Sequence, residues 1–103
     1  MFILDTCAFL TQKHPTGEFA TVPGIKSEIV NRQSRQYFEN MLATHLKVMK
    51  AQKNSYDVVN KEAKETGDYD VLSKVDMDIL ALGYECKGTI ITDDFAIQNV
   101  ALA

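Results

Sequence analysis

Two short apolar runs, each ending on an acid, constrain the fold of this chain more than any other feature. Met1-Phe2-Ile3-Leu4 leads into Asp5, and Thr89-Ile90-Ile91-Thr92 leads into Asp93-Asp94. Helical sequence follows each acid, so both runs are predicted to be strands of a parallel sheet. Open α/β sheets bind their ligands at the carboxyl ends of the strands. The sequence therefore predicts a negatively charged sheet edge at a ligand-binding position.

The size and composition of the chain predict one globular domain over residues 1–103. A chain of 103 residues can bury one core, and 46% hydrophobic with 24% charged residues is typical of globular proteins. It has no apolar run as long as a membrane span, and its first strand begins without a signal-peptide pattern, so we expect a cytoplasmic protein. Cys7 and Cys86 form no C-x-x-C pair, which argues against a structural zinc site.

Turn, capping and periodicity signals divide the remaining sequence into helices and one further strand. The predicted elements are a short helix through Phe9-Leu10, a turn at His14-Pro15-Thr16-Gly17, a helix capped by Thr21 that carries Glu28, a helix Arg35–Leu42 capped by Ser34, a strand Leu46–Met49, a helix from Asn54 to Gly67, a helix from Ser73 to Gly88, and a last helix from Phe95. This order predicts an α/β fold with a central parallel sheet flanked by helices.

Five carboxylates form the candidate site: Asp5, Glu28, Asp76, Asp93 and Asp94. Such a cluster repels itself unless protons or a cation neutralise it, and its hard oxygen ligands suit Mg²⁺ or Mn²⁺. Simple structural roles are open as well, because Asp5 and Asp76 occupy capping positions and Glu28 fits an exposed helix face. Of the adjacent pair, we expect one acid to cap the last helix and the other to face the metal.

Positive charge is concentrated in the middle of the chain. Residues 26–64 hold eight basic and four acidic residues, whereas the remainder holds three basic and ten acidic ones. An enzyme that grips a phosphate backbone beside an acidic metal site divides its charge in this way, although solvated helix faces give the same pattern. The candidate residues to bind such a backbone are Arg32, Arg35, Lys47, Lys50 and Lys53.

Several of these groups together resemble the PIN-domain ribonucleases. The relevant groups are Leu4-Asp5-Thr6, Thr21-Val22-Pro23 followed by Glu28, and Thr92 to Ala101. Within the family, the sequence is most similar to the NOB-type endonuclease of small-subunit ribosome maturation in its archaeal form. The residues that carry this similarity are Thr66-Gly67-Asp68-Tyr69, Leu72-Ser73 with Asp76, and Leu80-Ala81-Leu82.

The resemblance implies a PIN-like three-layer fold and a divalent-metal-dependent endoribonuclease that acts on a small-subunit rRNA precursor. In PIN nucleases, the acids that match the five carboxylates hold one or two cations, and cleavage leaves a 5′-phosphate and a 3′-hydroxyl. Thr6 and Thr92 are candidates to orient a carboxylate, although strand-end capping explains them equally well. Asn99, about one helical turn after Phe95, is a candidate to reach a phosphate, although an exposed amide is the commoner outcome; the resemblance raises its interest.

Two alternatives remain open at this point. One is a VapC-like toxin ribonuclease that a bound antitoxin silences, and the other is a non-catalytic PIN-like module that binds RNA or the ribosome. NOB-type enzymes carry a zinc ribbon after this domain, and a PIN fold normally adds a strand beyond the helix that starts near Phe95. These 103 residues contain neither, so we expect an unpaired sheet edge that favours self-association into a homo-oligomer.

Overall fold

A computed structural model, which describes residues 1–12 and 16–102, contains a four-stranded parallel sheet. Its strands are β1 (Phe2–Leu4), β2 (Phe19–Thr21), β3 (Leu46–Val48) and β4 (Thr89–Ile91). They pair in the order β3-β2-β1-β4, and every pair is parallel. The predicted parallel sheet is confirmed.

Six α-helices flank this sheet in the part of the chain that the structure describes. They are α1 (Thr6–Thr11), α2 (Ile25–Glu28), α3 (Arg32–Thr44), α4 (Lys53–Thr66), α5 (Lys74–Cys86) and α6 (Phe95–Leu102). From β1 to β3 each crossover moves one strand in the same direction, whereas the connection from β3 to β4 returns past β1. Such crossovers are right-handed. The helices of the first two connections therefore cover one face of the sheet, and those between β3 and β4 cover the other. The crossovers diverge between β1 and β4, which makes that junction the switch point of the sheet.

The strand β2 differs from the sequence prediction, which placed a helix cap at Thr21. Phe19, Ala20 and Thr21 are instead buried between β1 and β3, where Thr21 is aligned with Val48. The Thr21 hydroxyl donates to the Leu4 carbonyl at 2.8 Å, which satisfies this polar group inside the sheet. The helix that carries Glu28 therefore begins only at Ile25.

The start of α3 was also predicted wrongly. Asn31 rather than Ser34 caps α3, because its side-chain oxygen accepts from the backbone N–H groups of Gln33 and Ser34. Ser34 is buried within the helix. Of the predicted turn His14-Pro15-Thr16-Gly17, the first two residues lie outside the described residues.

The helix α5 fixes one part of the predicted site against the sheet. Ile79 and Leu82 of α5 are fully buried, and the helix packs on β1 and β4. Gly83 permits this close approach, since a Cβ at that position would lie 2.8 Å from the Ile90 side chain. The start of α5, where Asp76 lies, is thereby held at the carboxyl edge.

No helix within the described ranges 1–12 and 16–102 has both the length and the apolar character that a bilayer span requires.

Candidate active site

The predicted site is built around the junction of β1 and β4. Leu4 is aligned with Ile91, so the residues that follow the two strands emerge side by side. The Asp5 backbone N–H donates to the Ile91 carbonyl at 3.1 Å, and the Thr92 hydroxyl donates to the Asp5 carboxylate at 2.7 Å. Asp5 is only 6% exposed, so its carboxylate lies almost buried at the switch point.

The surroundings of Asp5 oppose its negative charge. Burial raises the pKa of the Asp5 carboxyl above its ordinary value, while the Thr92 hydroxyl and the Thr6 backbone N–H lower it by hydrogen bonding. The charges of Asp76 and Glu28 raise this pKa further, so these two acids lie within electrostatic range of Asp5. The direction agrees with the expectation of a self-repelling cluster, but burial contributes more than the neighbouring acids do. No described residue forms an ion pair with Asp5.

Glu28 is brought to the site by the short helix α2. Its side chain is exposed at the last residue of that helix, where it accepts a hydrogen bond of 2.6 Å from the Thr6 hydroxyl. Thr6 directly follows Asp5, so one hydroxyl links the end of β1 to the end of α2. Thr6 and Thr92 thus each donate a hydrogen bond to one of the predicted ligands.

Asp76 forms the capping box of α5. Its carboxylate accepts from the Ser73 backbone N–H at 2.9 Å, and its own N–H donates to the Ser73 hydroxyl at 3.1 Å. The same carboxylate raises the pKa of Asp5. Capping and participation in the acidic cluster are therefore compatible, since the cap engages only the Oδ2 oxygen.

The two acids after β4 occupy different environments. Asp94 accepts from the Ala96 backbone N–H at 2.9 Å and so caps α6, while its own N–H donates to the Thr92 hydroxyl. It is therefore linked to Asp5 through Thr92. Asp93 is exposed and lies near Cys7, whose pKa is raised by burial first and also by the charge of Asp93.

The donor atoms of this cluster fit a hard divalent cation, because they are carboxylate oxygens whose mutual repulsion a cation would relieve. In the described part of the chain, however, no three Asp, Glu, His or Cys side chains are placed to hold one ion together. Two of the carboxylates are held in hydrogen bonds instead. Glu28 accepts from the Thr6 hydroxyl, and Asp76 accepts from the Ser73 backbone N–H. The structure thus brings three acids to one edge without closing them into a coordination shell.

The predicted RNA-binding residues are all exposed, but they do not form one patch. Arg32 and Arg35 begin α3, which follows α2 and runs away from the carboxyl edge. Lys50, just after β3, lines a cleft with Ser27, the neighbour of Glu28. Lys53 lies elsewhere. The backbone N–H of its neighbour Gln52 donates to Glu85, which is near the C-terminal end of α5. Lys47 lies within β3 and Asn99 on the outer side of α6, and neither hydrogen-bonds to the site acids.

Sequence reasoning missed a second polar group beside the acids. Asp78, two residues after Asp76, is half-buried and accepts a 2.6 Å hydrogen bond from the Tyr56 hydroxyl. Burial raises the pKa of Tyr56, and the hydrogen bond to Asp78 raises it further, so the tyrosine remains a donor. Its 22-residue separation from Asp78 left no local signal for the contact.

Comparison with known proteins agrees with this geometry. The family model described as "PIN domain of ribonuclease" matches residues 2–86. Endoribonuclease Nob1 of Pyrococcus abyssi is 33% identical over 100 residues, which cover 96% of this chain and 61% of that protein. The 20S-pre-rRNA D-site endonuclease NOB1 of Saccharomyces cerevisiae is 36% identical over 104 residues, which cover 94% of this chain and 22% of that protein.

This chain is also similar to a ribonuclease that does not carry the Nob1 name. Ribonuclease VapC3 of Aeropyrum pernix is 31% identical over 107 residues, which cover 96% of this chain and 77% of that protein. This chain spans less than two thirds of the length of either Nob1 relative, but more than two thirds of VapC3. The family match over residues 2–86, together with the parallel sheet and its acidic switch point, shows that the chain belongs to the PIN-domain family of ribonucleases.

Proposed function

We propose that this chain is a divalent-metal-dependent endoribonuclease domain that hydrolyses phosphodiester bonds in a precursor of small-subunit rRNA. The observation that carries the proposal is the nearly buried Asp5 carboxylate at the switch point, with two further acids in electrostatic range. The names of the Nob1 relatives support the choice of substrate, since one of them refers to 20S pre-rRNA.

Asp5, Glu28 and Asp76 would hold Mg²⁺ or Mn²⁺, with Asp94 or Asp93 as a further ligand. When bound, the cation supplies positive charge that stabilises the phosphoryl oxygens and activates water at neutral pH. The chain's own contribution is to orient the carboxylates, which it does through hydrogen bonds and backbone N–H groups.

Cleavage and metal binding can be tested together on the parent protein and Asp5→Asn. We expect the parent to cut a labelled pre-rRNA fragment in Mn²⁺ and to melt at a higher temperature when Mn²⁺ is added, because cation binding favours the folded state. Asp5→Asn should show neither effect, whereas Asp57→Asn, an exposed acid of α4, should behave like the parent. Equal cleavage by Asp5→Asn would show that a contaminant cuts the RNA. Binding of RNA by the parent without cleavage would identify a non-catalytic RNA-binding module.

A VapC-like toxin is the second candidate, and the match to VapC3 favours it specifically. A toxin is expected to be encoded beside an antitoxin that binds it and blocks cleavage. Sequencing of the flanking genes, followed by cleavage assays with any small neighbouring protein, separates the two candidates. A neighbour that inhibits cleavage would favour the toxin over the rRNA-processing enzyme.

A further inference from the structure

A cleft of mixed polar and apolar lining lies between α2, α4 and the start of α5. It has a volume of about 400 Å³ and is lined by residues from four parts of the chain: Pro23, Gly24 and Ser27 from the α2 region, Lys50 after β3, Tyr56 of α4, and Lys74, Val75 and Asp78 of α5. Two of these residues directly adjoin site acids, since Ser27 precedes Glu28 and Val75 precedes Asp76. Two walls of the cleft are thus formed by the chain segments that carry Glu28 and Asp76.

Tyr56 is held rigidly in this cleft. Its hydroxyl donates to Asp78 at 2.6 Å, and its ring packs against the hydrophobic core while also lining the cleft. Gly24 packs closely against α5 in the same cleft, since a Cβ at this position would lie 3.0 Å from the Val75 side chain. A half-buried aromatic ring with few accessible conformations is suited to stack on a nucleobase.

The charged residues of the cleft suit a phosphate backbone. Lys50 and Lys74 are exposed and line the cleft from different elements, and Asp78 is the acid that lines it with them. The negative charge of Asp78 is partly compensated by the hydrogen bond that it accepts from Tyr56. A second cavity of about 450 Å³ shares Tyr56, Lys74 and Asp78 and continues the groove toward Tyr69.

We propose that this cleft binds a nucleotide of single-stranded RNA next to the scissile phosphate, with the base against Tyr56 and the backbone against Lys50 and Lys74. The inference rests on the proposed ribonuclease function and adds to it the side chains that hold one nucleotide beside the site. The ring is fixed among packed residues in a recessed cleft, so a base held in a duplex cannot reach it.

Binding should be measured in an Asp5→Asn background without divalent cations, so that the outcome does not depend on cleavage. The probe is a fluorescein-labelled oligouridine followed by fluorescence anisotropy. Tyr56→Leu should weaken its binding about tenfold through lost stacking, whereas Tyr56→Phe should retain most of the affinity because it keeps the ring. Lys50→Ala and Lys74→Ala should each weaken binding and reduce the salt slope by about 0.7, the value for one phosphate contact to a single strand.

Two controls separate this role from a loss of structure. Lys61→Ala removes an exposed lysine of α4 that does not line the cleft, so it should bind like the background protein. A hairpin duplex should bind Tyr56→Leu and the background equally, because paired bases do not stack on the ring. Thermal melts establish that each variant is folded.

The inference is overturned if Tyr56→Phe weakens oligouridine binding as much as Tyr56→Leu, or if the Lys50 and Lys74 variants match Lys61→Ala. Either result can occur while the parent cuts RNA, and that outcome would leave the proposed function intact. Conversely, the expected binding pattern combined with a parent that never cuts RNA would support the cleft and reject the proposed function.

Discussion

At the residue scale, Asp5 combines two properties that folding alone does not favour. It is nearly buried, and it lies in range of two other carboxylates without a cationic partner in the described part of the chain. Buried charges are normally paired, because desolvation of an isolated carboxylate is costly. Two hydrogen-bond donors, the Thr92 hydroxyl and the Thr6 N–H, compensate only partly, since the pKa of Asp5 remains raised.

The raised pKa of Asp5 predicts a specific pH dependence of stability in metal-free protein. Because the folded-state pKa lies above the ordinary value of 3.8, the folded protein binds this proton more tightly than the unfolded chain does. The contribution of the protonated group to stability is therefore complete below about pH 3.8 and is lost as the pH rises through the raised pKa. Asp5→Asn should consequently melt above the parent at neutral pH, and this advantage should shrink in acid. Melts in EDTA across this range test it, and a constant difference would contradict it.

At the element scale, α5 serves the fold and the site with the same residues. Its capping box satisfies the first turn of the helix and also holds the Asp76 carboxylate at the sheet edge. Farther along, Gly83 lets the helix approach β4 closely. The position of Asp76 relative to Asp5 thus depends on how the whole helix packs against the sheet.

Ser73→Ala and Asp76→Asn should separate the capping role from the catalytic one. Ser73→Ala removes the hydroxyl that accepts from the Asp76 N–H, so it should cost about 1 kcal/mol of stability and leave most of the cleavage. Asp76→Asn retains an oxygen for the Ser73 N–H but loses the carboxylate charge, so it should abolish cleavage at a similar or smaller cost in stability. Urea unfolding and cleavage rates in Mn²⁺ give both quantities. Equal loss of cleavage in the two variants would mean that Asp76 acts only as a cap.

Gly83→Ala should destabilise the protein, although alanine normally favours a helix interior over glycine by about 1 kcal/mol. The added Cβ would lie 2.8 Å from two carbons of Ile90, so the helix and β4 must separate or the side chain must leave its rotamer. A net loss of about 1–3 kcal/mol is expected in urea unfolding. Ile90→Ala in the same protein should recover part of that loss, and the absence of any recovery would locate the strain elsewhere.

At the scale of the whole molecule, the strand order gathers distant charges at one edge. The connections through α2 and α3 bring Glu28 and then Arg32 and Arg35 to the carboxyl side, while the return connection brings the start of α5 there. Arg32 and Arg35 at the start of α3 therefore lie on the same side of the sheet as the site acids, where their positive charge would attract a phosphate backbone.

This arrangement predicts that position, rather than net charge, decides RNA affinity. The double variant Arg32→Gln/Arg35→Gln should weaken binding of single-stranded RNA and lower the salt slope by about 1.4, as expected for two lost phosphate contacts. The control Lys61→Gln/Lys87→Asn makes the same change in net charge, but at the middle of α4 and the end of α5. It should bind like the parent. Equal weakening in both double variants would point to a diffuse electrostatic effect.

The sequence by itself determined the elements whose signals are local. Ser73 caps α5 and Gly67 ends α4 in the left-handed conformation, as predicted, because caps and helix stops depend on hydrogen bonds within a few residues. The acids that follow β1 and β4 were likewise predicted at the ends of two parallel strands. When two neighbouring strands are joined through helices, the connection rules favour a parallel pair, which places the acids after both strands at the same edge.

Only the tertiary structure decided the rest. The three residues of β2 form a strand because β1 and β3 pair with them on both sides, and that stabilisation has no counterpart in the local sequence. The same is true of the link between Thr6 and Glu28 and of the contact between Tyr56 and Asp78, whose partners are 22 residues apart in both cases. Contacts between residues distant in sequence require that the loops between them be closed, which costs conformational entropy. They therefore form only when the sheet and its covering helices assemble.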